Sequence, residues 1–132
     1  MMPALLRLAI VVPLLLAACA VAPPSIESGK LREVRDQPLL PYEIHEDCVA
    51  MVSGDRLEYS FKTQASVAFN IHYHEGKVVV MPVTRTSVQQ DEGKFEPLTA
   101  QDYCLMWEAG VVDTMLEYRV QLIRAKPPSI SR

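Results

Sequence analysis

An all-β fold is what this 132-residue chain predicts: an antiparallel β-sandwich of about seven to eight short strands with one disulfide, preceded by a signal peptide and a flexible tether. Three observations carry that expectation. Apolar and polar residues alternate through Arg56–Lys62, Val67–His74 and Met115–Ile123, the period of a strand with one face in a core. Turn-forming clusters such as Ser53-Gly54-Asp55, Glu75-Gly76-Lys77 and Ala109-Gly110 separate the runs at roughly ten-residue spacing. Nothing after the first 18 residues keeps a convincing helical period.

The elements follow in order. Met1–Arg7 carries one positive charge and no acid, Leu8–Leu16 is apolar except for Pro13, and Ala17, Ala18, Cys19 and Ala20 are small. These are the three regions of a secretory signal. The apolar run falls short of the about 20 residues that a bilayer span needs. Leu16-Ala17-Ala18-Cys19 resembles the lipobox of bacterial lipoproteins. The resemblance implies cleavage before Cys19, a diacylglycerol on its sulfur and an acylated amine, and so a membrane anchor. Ala20, where an Asp resembles the inner-membrane retention signal, implies the outer membrane, with the domain in the periplasm. Ala20-Val21-Ala22 also fits an A-x-A cleavage site, so ordinary secretion is the alternative.

Of the three cysteines, lipidation of Cys19 leaves Cys48 and Cys104 as an even pair. In an oxidising compartment a disulfide is the default, and closing a loop of that length is worth about 4 kcal/mol in the chain-entropy account. Two buried free thiols are the other reading. The formal net charge of −3, without basic clusters, argues against a nucleic-acid partner and against a polybasic membrane patch.

Residues 19–41 read as the lipidated cysteine and tether, punctuated by Pro23, Pro24, Pro38 and Pro41. The domain is expected over residues 42–125. Its first strand lies around Cys48–Val52; Arg56–Lys62 points Leu57, Tyr59 and Phe61 inward. Val67–His74 points Val67, Phe69, Ile71 and Tyr73 inward, with Ala68, Asn70, His72 and His74 on the other face. Val78–Val83 ends near Pro82, as an edge or terminus would. Thr84–Lys94 reads as a polar loop, Phe95 opens a short strand, and Asp102–Glu108 is aromatic and β-prone. Met115–Ile123 is the last strand, and residues 126–132 are the tail.

The order Cys48, then Ser53–Phe61, then Gly93-Lys94-Phe95, then Tyr103-Cys104-Leu105-Met106-Trp107 resembles the GOLD domain, the luminal β-sandwich of p24 cargo proteins. The Phe69–His74 stretch is also similar to one in proteobacterial lipoproteins. The GOLD resemblance implies a sandwich used for protein or lipid contacts, with the two cysteines paired. It carries over no catalytic residue.

Asn70, His72 and His74 form the constellation best suited to chemistry, a polar row on one strand face. Two imidazoles about 7 Å apart at Cα can share a Cu or Zn ion, with a third ligand from Glu43, His45, Glu46, Asp47, Glu75 or Met81. The favoured reading of the row is a polar surface hydrogen-bonded to its neighbours, and a ligand face is a further one. No G-x-S-x-G or phosphate loop occurs, and the acid pairs Glu46-Asp47 and Asp91-Glu92 lie in polar settings. The expectation is therefore a non-catalytic, membrane-anchored binding module with an envelope protein as partner; a periplasmic Cu or Zn protein using His72 and His74 is the alternative.

Overall fold

Strands β1 (Leu31–Leu39), β2 (Ile44–Met51), β3 (Arg56–Glu75), β4 (Val78–Phe95), β5 (Gln101–Ala109) and β6 (Thr114–Ile123) build a computed structural model that describes residues 25–126. The expected signal peptide, Cys19 with its lipobox-like stretch, and residues 127–132 of the expected tail lie outside the described residues. The five ladders are antiparallel and form one sheet of order β1-β6-β3-β5-β2, with β4 on β3. The protein is all-β and carries the Cys48–Cys104 disulfide.

The strands are fewer and longer than their local patterns predict. Arg56–Lys62 and Val67–His74 belong to one 20-residue strand, β3. The polar stretch Thr84–Lys94, expected as a loop, is the body of the 18-residue β4. Register shifts between Lys62 and Val67, and on to Phe69, let the hairpin bend without ending its ladder. β4 follows one edge of β3. The other edge pairs with β6 from Arg56 to Thr63 and with β5 from Val67 to His72. The long hairpin thus carries two half-sheets, β1-β6 and β5-β2, which curl over to face each other as the layers of a sandwich do.

The tether expectation also gives way at Leu31–Leu39, which is strand β1, paired with β6. Its apolar content is low because its inward position Arg32, opposite Val120, holds a charge that is neutralised from across the core. Pro38 is tolerated because β1 is an edge strand.

Between the halves lies a core of Leu57, Tyr59, Phe61, Val67, Phe69, Ile71, Leu105, Trp107, Leu116, Tyr118, Val120 and Leu122, with others at its margins. Phe61 meets Phe69 with ring centroids 4.7 Å apart, and Trp107 stacks on Tyr118 at 4.6 Å. Val67, Phe69 and Ile71 are buried as their alternation predicts, and Tyr73 is half-buried. At about 25 cal/mol per Å² of apolar surface, each such fully buried side chain contributes about 1.5–3 kcal/mol.

Candidate functional site

Alternation along β3 puts Asn70, His72 and His74 on the outer face, and register sets Cys104 beside His72 and Cys48 beside Cys104. The disulfide therefore joins directly paired residues of neighbouring strands, with Cα atoms 4.0 Å apart, rather than crossing between layers. His72 is only 4 % exposed despite facing outward. Its Nδ1–H donates to Asn70 Oδ1 at 2.8 Å, the tautomer that the amide oxygen selects. Nε2 faces Glu46 Oε1 at 3.6 Å. Burial lowers the His72 pKa, Glu46 opposes that shift, and His74 adds to it. Burial thus disfavours the imidazolium at His72, whose Nε2 faces Glu46.

His74 is exposed, its ring 5.2 Å from that of His72 and edge-on to it. Of the third ligands considered, the fold brings Glu46 to His72. It turns His45 and Asp47 to the opposite face of β2, into the core. Among the described residues no group of three or more His, Cys, Asp and Glu side chains is placed to hold a metal ion. With Nδ1 engaged by Asn70, the row is built as a hydrogen-bonded polar face.

The inward residues of β2 form a cluster that the sequence reading missed. Arg32 on β1 meets Asp47 on β2 at 2.7 Å. Tyr118 donates its hydroxyl to Asp47 Oδ2 at 2.9 Å, and its oxygen then accepts from His45 Nε2–H at 3.1 Å. Burial, then the Asp47 charge, pushes the Tyr118 phenol up to about 12. Burial also lowers the His45 pKa, against the pull of Asp47. The cluster joins β1 and β2, the two ends of the strand order, with no backbone ladder between them among the described residues. Its role is closure of the sheet. A Lys/Arg-to-acid pairing has no local sequence signature when its members are this far apart in the chain.

An exposed apolar surface lies at the far end of β1. The turns Leu40–Glu43 and Gly110–Asp113 are zipped together: Tyr42 N–H donates to Gly110 O at 2.9 Å, and Ala109 N–H to Glu43 O at 3.0 Å. They and the start of β2 present Leu40, Tyr42, Ile44, Val111 and Val112, each at least half exposed, with Tyr42 at 66 %. Tyr42 adopts φ 62°, a left-handed conformation that costs a non-glycine residue about 1–2 kcal/mol. Strain of this kind concentrates at functional sites. The rim is acidic: Glu43, Glu108 and Asp113 lie beside these side chains. No Lys or Arg occurs between Asp36 and Asp55 or between Phe95 and Tyr118. The sequence signal was apolar residues inside Pro- and Gly-marked turns, where a turn cannot bury them.

An open charged groove of about 390 Å³ lies over Ser60, and its flanking charges are already paired, Lys62 with Glu117 and Arg119 with Glu33.

No family model matches the chain, and no curated protein does. Among solved structures it is similar to Aeromonas hydrophila PliG, a periplasmic inhibitor of g-type lysozyme, at 10% identity over 70% of this chain and 85% of that one, with a TM-score of 0.47. It is also similar to a de novo designed double-stranded β-helix, at 22% identity over 69% of this chain and 97% of that one, with a TM-score of 0.35. At those scores neither likeness carries a function.

Proposed function

We propose that this chain is a lipid-anchored protein of the bacterial envelope whose domain binds a partner protein, without catalysis, through the Tyr42 turns. The observation that carries the binding role is the five exposed apolar side chains on two mutually hydrogen-bonded turns, one of them held in a left-handed backbone. A set of this kind, ringed by polar groups, is the usual mark of a protein contact. The acidic rim selects a partner whose apolar patch is edged by Lys or Arg. The anchoring role is supported by the lipobox at Cys19 after an apolar run.

Photo-crosslinking side chains placed at positions 42 and 111 in intact cells test the contact, with position 94 on β4 as the control. A discrete crosslinked protein from 42 and 111, absent from 94 and lost in Glu108→Lys, is expected. Equal crosslinking from all three positions, or none from 42 and 111, refutes the contact. Cys19→Ala is expected to leave the membrane fraction; its continued residence there refutes the anchor.

A further inference from the structure

The Cys48–Cys104 bridge lies on the outer face of the sheet, and its two ends are unequally placed. Cys48 is exposed, whereas Cys104 is half-buried. Register sets His72, Cys104 and Cys48 on one rung across β3, β5 and β2. β2 ends the strand order, so Cys48 has a paired strand on its β5 side only. Cys104 is flanked on both sides, by Cys48 and by the buried His72. The His72 ring reaches over β5, since its Nε2 faces Glu46 Oε1 of β2 at 3.6 Å. The bridge also joins no distant parts of the fold. Its residues already oppose each other in a ladder that runs from Ile44 and Glu108 to Met51 and Gln101, and Asp47 ties β2 to Arg32 besides.

We propose that this bridge is a thiol–disulfide exchange site, opened at Cys48 in the folded protein by a partner that carries two thiols. A thiolate attacks a disulfide sulfur along the S–S axis, opposite the sulfur that leaves, and access decides which sulfur it reaches. In-line approach to Cys48 Sγ comes from the edge of β2, over an exposed residue. In-line approach to Cys104 Sγ comes from the β3 side, where the buried His72 stands. The partner thiolate therefore bonds to Cys48 Sγ. The electron pair of the broken S–S bond leaves on Cys104 Sγ, which takes a proton from water. The partner's second thiol loses its proton to water and attacks the partner sulfur of the mixed disulfide. Cys48 leaves as a thiolate and is protonated in turn. The partner's dithiol ends as a disulfide, and this chain gains two electrons and two protons. The ladder on either side of the rung keeps Cys104 beside Cys48 throughout. A partner with one thiol is thus expelled by the return attack of Cys104, a neighbour held in place, and this selects a dithiol.

The Cys19→Ala protein, whose remaining cysteines are Cys48 and Cys104, tests this with glutathione and dithiothreitol as probes. Excess glutathione attacks the folded protein, and N-ethylmaleimide then stops the reaction. The attacked sulfur is left with glutathione and the departed one with maleimide. Peptide masses are expected to show glutathione on Cys48 over Cys104 by about tenfold, since access to each sulfur sets its rate. Equal labelling, or glutathione mainly on Cys104, overturns the proposal. His72→Ala is expected to raise the Cys104 share, and an unchanged share overturns the part given to His72 as the shield. Reduction by dithiothreitol is expected to run at a rate that urea below the unfolding transition leaves unchanged. A rate that climbs with urea in step with the unfolded fraction means that the bridge opens only when the chain unfolds, and it overturns exchange in the folded protein.

Discussion

Replacing Asp47 by alanine strikes the contact that ties β1 to β2. Asp47 is buried; it pairs with Arg32 at 2.7 Å and accepts the Tyr118 hydroxyl at 2.9 Å. The alanine variant takes the carboxylate away from the buried side of the Arg32 guanidinium and from the Tyr118 hydroxyl, which keeps its His45 contact. Breaking a buried ion pair by removing one partner costs about 3–5 kcal/mol. Arg32 keeps 22 % exposure and so some access to water, which places the cost near about 3 kcal/mol, the low end of that range. Tyr118→Phe removes only the hydroxyl and leaves the ion pair, for about 1 kcal/mol. Because the two side chains share a bond, the double variant should fall short of the sum by about 1 kcal/mol. Urea unfolding of the disulfide-intact, non-acylated Cys19→Ala protein measures all three, and a thermal midpoint lowered by about 10 °C or more in Asp47→Ala is the companion signal. A loss under about 0.5 kcal/mol, the range of an ordinary surface change, refutes the account of the seam.

Stability should fall as pH drops through the histidine range. Burial holds the folded pKa values of His45 and His72 below the ordinary 6.5, so the unfolded chain binds more protons in that window. Their contribution is complete above the unfolded value and is lost as pH falls through the folded one. Unfolding free energies between about pH 7.5 and pH 5 measure it: His72→Gln should flatten the slope, and an unchanged slope counts against the buried neutral imidazole. Gly93→Ala should cost about 1–3 kcal/mol, because a Cβ there would lie 2.7 Å from the Tyr59 hydroxyl oxygen and 2.9 Å from Cζ of a ring packed on Phe69. An unshifted urea midpoint would show that the Tyr59 ring swings aside freely. Titration with Cu(II) or Zn(II) should show no binding tighter than about micromolar, and His74→Ala should change nothing. A tight site lost in His72→Ala would mean that the Asn70 bond breaks to free Nδ1.

Alternation along Val67–Tyr73 was enough to identify the buried face, since side-chain direction in a strand is a property of the local backbone. The turn at Glu75-Gly76-Lys77, the antiparallel β class and the pairing of Cys48 with Cys104 were likewise legible, the last by counting cysteines. The same local rule failed for Asn70 and His72. It assigns them correctly to the outer face but says nothing of burial, which comes from neighbours such as Glu46 and the Cys48–Cys104 bridge that other strands deliver. Thr84–Lys94 looked like a loop because its side chains are polar. A strand whose residues are mostly exposed has no apolar row to reveal it, and what makes it a strand is the backbone ladder to β3.

By itself, then, the sequence determined the strand class, the inward row of each half of β3, the disulfide partners and the resemblance of its first residues to a lipoprotein signal. Tertiary structure alone decided that β3 and β4 run through the bend unbroken, that Leu31–Leu39 is an edge strand, that Arg32 finds Asp47, and that the turns bearing Tyr42 and Val111 come together. The division has one physical cause. Periodicity, turn chemistry and cysteine count are set within a few residues of chain, whereas register, curl and the meeting of distant edges depend on pairings between segments that no local pattern encodes.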